Sequence, residues 1–255
     1  MLKKIFKSAL AAAALTVSVN AQAAQAPLWM RYSQISPDGQ QIAFAYKGDI
    51  FTVPVSGGQA KQLTTGNSFE SQPIWSNDSK TIAFTTDKFG GQDIMTVPAA
   101  GGQAKRITTH SASETPLAFS PDGKYIYFTA AYQDPATSIL WANWMQELYK
   151  ISVEGGRPMQ ISATPICSVS FDKDGKSFLY YDKTGSENIW RKHHVSSVAR
   201  NIFYYDSKTD THKQITTNPG EDRDPIFCGD NKMVFLSERN GGSFNVYEAD
   251  RKSVV

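Results

Sequence analysis

Short, nearly continuous apolar runs bounded by polar and turn-forming residues recur in a fixed order from residue 28 almost to the end of this 255-residue chain. The clearest copy occupies residues 69–110. It reads Gln72-Pro73-Ile74-Trp75, a Ser76-Asn77-Asp78-Ser79 turn, Thr81-Ile82-Ala83-Phe84-Thr85, then Asp93-Ile94-Met95-Thr96-Val97. A Gly101-Gly102 turn and Ala104-Lys105-Arg106-Ile107-Thr108 complete it. Runs of this length, rich in β-branched and aromatic residues and bounded by Gly, Asn, Asp, Ser or Pro, are the pattern of strands and tight turns. Four strands in about 40 residues is the size of one propeller blade.

The copies superimpose. The first turn is Ser36-Pro37-Asp38-Gly39, Ser76-Asn77-Asp78-Ser79 and Ser120-Pro121-Asp122-Gly123, drifting to Asp172-Lys173-Asp174-Gly175 and Cys228-Gly229-Asp230-Asn231. Pro presets φ, Asp bonds its own backbone and Gly supplies φ > 0, so a type I turn is expected. The second strands centre on Phe44, Phe84, Phe128, Tyr180 and Phe235, the third on Ile50, Ile94, Leu148, Ile202 and Val246. The pattern predicts an all-β β-propeller of four-stranded antiparallel blades, about five of them. Their expected spans are 28–66, 67–110, 111–163, 164–218 and an incomplete 219–255. Either the chain is an N-terminal piece of a longer protein, or residues 25–28 supply a fifth outer strand and close the structure. Ala26-Pro27 makes a poor strand, which favours the piece.

Two blades are longer than the others, and both grow between their second and third strands, at residues 131–146 and 183–199. In a four-stranded meander these connections share a rim with those that join blades, and loops on a rigid scaffold are where binding resides. The first insertion carries Trp141 and Trp144, suited to a peptide or partner contact or to a lid on the propeller's own rim. The second carries Arg191, His193 and His194, which could hold a peptide carboxylate, or simply form a solvated polar loop. Adjacent histidines on a strand diverge and no companion has ligand spacing, so no metal site is expected. Asp172-Lys173-Asp174-Gly175 opens like a calcium loop, but strand residues follow where further ligands would stand, and it is read as a turn.

Charge narrows the partners. There are 26 Lys and Arg against 24 Asp and Glu. Residues 1–23 have a basic start at Lys3, Lys4 and Lys7, an apolar run and a small-x-small Ala21-Gln22-Ala23, the form of a secretory signal peptide. Without those three lysines the balance is near −1, which gives no support for nucleic acid or an anionic membrane. No apolar run is long enough to span a bilayer and no membrane anchor is expected; the expected destination is the periplasm if the source is Gram-negative. Cys167 and Cys228 fall at opposite ends of equivalent strands in successive blades, too far apart to bridge, so both are expected as thiols.

No Gly-x-Ser-x-Gly elbow, His-Glu-x-x-His helix, phosphate loop or dinucleotide fingerprint occurs. The residues point to no catalytic group and no cofactor.

The segment Glu187-Asn188-Ile189-Trp190-Arg191-Lys192-His193-His194 and its continuation to Asp206 resembles one found in bacterial tricorn-type serine proteases, as does Trp29-Met30-Arg31-Tyr32-Ser33-Gln34-Ile35 directly behind the leader. The resemblance covers essentially the whole mature chain. It implies a propeller that gates peptide access, followed in the parent by PDZ-like and protease domains that carry the catalytic residues, with the parent a homo-oligomer. None of the family's catalytic positions falls in the matched region. Peptide substrates, or those downstream domains, are the implied partners. Three other readings compete: a TolB-like interaction propeller, the propeller of a prolyl-oligopeptidase-like hydrolase, and a free-standing lectin-like propeller.

Overall fold

The computed structural model describes residues 29–133, 146–173, 175–182, 199–229, 231–241 and 243–250. Among these there is no helix. Nineteen strands form five antiparallel sheets, each a meander in sequence order. Blade 1 holds β1 (Arg31–Ile35), β2 (Gln41–Tyr46), β3 (Asp49–Pro54) and β4 (Lys61–Gln62). Blade 2 holds β5 (Glu70–Trp75), β6 (Thr81–Thr86), β7 (Asp93–Pro98) and β8 (Lys105–Arg106). Blade 3 holds β9 (Glu114–Phe119), β10 (Tyr125–Ala130), β11 (Glu147–Ser152) and β12 (Met159–Ser162). Blade 4 holds β13 (Ser168–Phe171), β14 (Phe178–Tyr181), β15 (Ile202–Asp206) and β16 (Thr211–Gln214). Blade 5 has three described strands, β17 (Asp222–Cys228), β18 (Lys232–Ser237) and β19 (Asn245–Asp250). First strands of successive blades lie side by side, β1 by β5, β5 by β9, β9 by β13 and β13 by β17. That is how innermost strands stand about a propeller axis.

The core is a series of slabs between blades rather than one centre. Period-two alternation sends Ile82 and Phe84 towards Ala43, Ala45 and Ile50 of blade 1, and Ala83 towards Ile126 and Phe128 of blade 3. Leu148 and Tyr127 meet Ile166, Phe178 and Tyr180; Leu179 and Ile202 meet Met233 and Phe235. Blades 2, 3 and 4 are therefore apolar on both faces, and burial of these slabs is the main stabilising term.

The first turns form as the sequence predicts. Gly39 N donates to Ser36 O at 2.8 Å, and Gln40 N donates to Asp38 Oδ1 at 3.0 Å. Ser36 Oγ donates to the same carboxylate oxygen and accepts from Gln41 N. Blades 2 and 3 repeat these bonds through Ser76–Asp78 and Ser120–Asp122. Gly39 and Gly123 sit at φ +71° and +70°, where a side chain is strained; blade 2 accepts Ser79 there at +59°. The fourth copy is a turn too, with Gly175 N donating to Asp172 O at 2.9 Å, while Asp174 lies outside the described residues.

A second main-chain motif joins the blades. Glu70 N donates to Gly48 O, Glu114 N to Gln92 O, Ile166 N to Gln146 O and Asp222 N to Arg200 O, at 2.7 to 3.0 Å. Each bond runs from just before or at the start of a first strand to the residue preceding, or two before, the third strand of the previous blade. It fixes neighbouring blades at the rim that carries the long connections.

Candidate functional site

That rim carries both insertions. The connection from β10 to β11 leaves the pair Ala130–Glu147, and the connection from β14 to β15 leaves the pair Tyr181–Ile202, at corresponding corners of adjacent blades. Trp141, Trp144, Arg191, His193 and His194 lie outside the described residues. What the structure shows is the residues at the ends of the two connections.

Under the first insertion, Thr108 Oγ1 accepts from Ile94 N at 2.7 Å and donates to Glu114 Oε2 at 3.1 Å. Tyr132 Oη donates to Glu114 Oε1 at 2.8 Å, and its ring packs on His110 and Tyr149. Glu114 is fully buried, and desolvation pushes its carboxyl from an ordinary 4.5 up to about 7, opposed by the two hydroxyl donors. Glu70 is the same position one blade earlier. It accepts from Thr64, Ser68 and Thr86. Blade 3 has Ala112 and Ala130 where blade 2 has Ser68 and Thr86, so Tyr132 replaces two lost donors. Burial also drives the Tyr132 phenol upward.

Under the second insertion lies a charged cluster shared by blades 4 and 5. Arg200 pairs with Glu221, both buried. Arg223 approaches Glu221 at 3.6 Å and Asp224 at 3.4 Å, and Arg239 reaches Asp222 at 3.4 Å. Glu221 N donates to Glu238 Oε2. The guanidinium of Arg200 stands 5.6 Å from the Tyr181 ring and that of Arg223 lies 4.3 Å from Phe244. Desolvation raises the Asp224 carboxyl, opposed by Arg223 and Arg200. Asp222 takes the Glu70 position, but it is one methylene shorter. No bond from Thr216 reaches it among the described residues; Thr216 Oγ1 accepts only from Ile202 N.

The signal for these residues was available in the spacing. A carboxylate stands six residues after a threonine at Thr64–Glu70, Thr108–Glu114 and Thr216–Asp222. Blade 4 breaks it with Ile166, which packs against Leu148 instead.

Three inner strands carry a further feature. β1, β5 and β17 slip register at a bulge where Tyr32, Gln72 and Asp224 adopt φ of +55°, +53° and +53°, while β9 slips register without a left-handed residue. Bulges re-aim side chains, and β13 has none.

Neither His110 nor His212, the two described histidines, bonds a serine or cysteine. His110 Nδ1 accepts from Ala112 N, and His212 Nδ1 is hydrogen-bonded to Tyr180 Oη at 2.7 Å. Among the described residues no cluster of three or more His, Cys, Asp or Glu could hold a metal. Cys167 and Cys228 are free thiols, as their placement predicted. A cleft of about 630 Å³ opens on the opposite rim between blades 2 and 3. Its polar wall is already engaged, with Asn77 Nδ2 donating to Ser120 O at 2.8 Å and Lys105 paired with Glu154 at 2.5 Å.

No curated protein matches the chain. Among solved structures, the tricorn protease superposes with a TM-score of 0.69 at 16% identity, over 87% of this chain and 21% of that one. A TolB-type protein of Agrobacterium tumefaciens gives 0.66 at 17% identity, over 87% of this chain and 77% of that one. A puromycin-hydrolyzing peptidase of Mycobacterium tuberculosis gives 0.64 at 14%, over 91% of this chain and 37% of that one. The chain thus spans about a fifth of the length of the tricorn protease and just over a third of that peptidase. At these identities the likeness is one of fold. The profile of the tricorn protease N-terminal beta propeller domain matches residues 27–254, and the chain belongs to that family.

Proposed function

We propose that this propeller is the peptide-access segment of an exported tricorn-type serine peptidase, admitting short or unfolded chains and taking no part in bond cleavage. Membership of the tricorn N-terminal propeller family over residues 27–254 carries the reading. The two long connections that leave one rim support it, since the residues at their ends are tied by the Tyr132–Glu114 and Arg200–Glu221 contacts. Export rests on the leader-like residues 1–23. The catalytic work and the homo-oligomer belong to the parent enzyme and its PDZ-like and protease domains.

A second reading is a TolB-like interaction module, favoured by the superposition that covers 77% of the Agrobacterium protein. Fluorescence anisotropy separates the two. The chain is titrated with a reduced, carboxymethylated protein and with the same protein in its native, disulfide-bonded form. Peptide access predicts binding of the unfolded form alone; equal or preferential binding of the native form contradicts it.

A further inference from the structure

On blade 1 the same rim bears a cavity of about 250 Å³ lined by Trp29, Arg31, Tyr32, Tyr46, Lys47 and Phe69 among others. Its chemistry is one-sided. Four aromatic rings and two cations face it, and no carboxylate lines it. Arg31 and Lys47 form no ion pair with a described residue. Their guanidinium and ammonium groups lie over Trp29 and Tyr46, at 5.5 Å and 5.4 Å from the ring centres. Trp29, Tyr32 and Phe69 stay 74%, 48% and 53% exposed.

Phe69 is fixed in place. Phe69 N donates to Asp87 Oδ1 at 2.7 Å, and its ring seats on Gly48, where an added Cβ would meet Phe69 Cδ2 at 3.3 Å. Lys47 and Gly48 make the two-residue hairpin between Tyr46 and Asp49, both at positive φ. That turn favours Asn or Asp before Gly, so a lysine is held there against its own preference. Trp29 and Tyr32 are also left-handed, which puts three of the seven described non-glycine residues with positive φ in this one lining. Tyr32 shares its conformation with the equivalent bulges at Gln72 and Asp224, so Trp29 and Lys47 are the two left-handed residues peculiar to this lining.

We infer that this cavity is a docking surface for an acidic, extended segment of a partner protein. One apolar side chain fills the aromatic cavity, and flanking carboxylates meet Arg31 and Lys47. A volume of about 250 Å³ lies below the range typical of sites that enclose a drug-sized ligand, and suits one side chain of a longer segment. Two cations are too few for a nucleic-acid track, and a concave surface suits an inserted side chain better than a lipid plane.

The surface is independent of the peptide-access reading, since it is on blade 1 and asks for acidic sequence rather than for an unfolded chain. Isothermal titration calorimetry on the full chain tests it, with capped Leu-Glu-Phe-Glu-Leu-Glu against capped Leu-Lys-Phe-Lys-Leu-Lys. The acidic peptide binds, the basic one does not, and added salt weakens binding. Arg31→Glu with Lys47→Glu reduces affinity tenfold or more, Phe69→Ala also weakens it, and Arg31→Lys largely retains it. Lys47→Gly relieves the turn, so it raises the melting temperature while weakening the peptide, an outcome that a purely structural lysine would not give. Equal binding of the two peptides, unchanged affinity in the charge-reversed variant, or tighter binding to phosphatidylglycerol vesicles or single-stranded DNA than to the acidic peptide overturns the proposal.

Discussion

Tyr132 donates its phenolic proton to Glu114 at 2.8 Å, and this bond ties the base of the 131–146 connection to the seam between blades 2 and 3. It stands where blade 2 uses two small hydroxyls, and it leaves a buried carboxyl with fewer donors than its counterpart Glu70. The long connection and the unusual carboxyl are thus one feature.

The first consequence is a pH dependence. The Glu114 carboxyl is raised in the folded chain, so its contribution to stability is fully present below pH 4.5 and is lost as pH rises through about 7. The loss amounts to up to about 3 kcal/mol. His212, lowered by desolvation, acts in the opposite sense, adding stability as pH rises through the ordinary histidine range. The difference between the chain and Glu114→Gln isolates the carboxyl. Melting temperatures of the parent should fall relative to Glu114→Gln between pH 4.5 and 7.5; parallel curves would contradict the assignment.

The equivalent threonines should differ in cost. Thr64→Val and Thr108→Val each leave a buried amide, Ile50 N or Ile94 N, without its acceptor, worth about 1–3 kcal/mol. At Thr64, however, Glu70 keeps Ser68 and Thr86, whereas at Thr108 Glu114 keeps only Tyr132 among its hydroxyl donors. Chemical denaturation at pH 8 should show the larger loss for Thr108→Val.

Breaking the buried pair of blades 4 and 5 should be costly. Arg200→Met removes the principal partner of Glu221, whose side chain is 3% exposed, and about 3 kcal/mol is expected. Replacing both with apolar residues of similar size should recover much of that loss, because the desolvation of two charges disappears together. Urea midpoints of the single and double variants check this.

The thiols should separate kinetically. Cys228 is exposed, whereas burial pushes the Cys167 thiol up to about 12. A disulfide reagent at pH 8 should modify one cysteine quickly and leave the other until the chain is unfolded. Two fast equivalents would contradict the described packing.

The blades were legible because their grammar is local. Ser36-Pro37-Asp38-Gly39 states its own turn, and the unbroken apolar run Ile82-Ala83-Phe84 suits a strand buried on both faces. The rim was legible only in part. Connection lengths gave its place, but the Arg200–Glu221 pair joins residues 21 apart whose partnership no local pattern records. The bulges at Tyr32, Gln72 and Asp224 were also hidden, since no glycine marks them. Ile166 shows the converse, an apolar residue in the carboxylate position that holds the same main-chain bond.

The most direct measurement follows a defined unstructured peptide incubated with the purified chain, by mass spectrometry and by its retention on the protein. The account predicts that the peptide is retained and stays intact over long incubation. Time-dependent cleavage that tracks this chain through successive purification steps would contradict it.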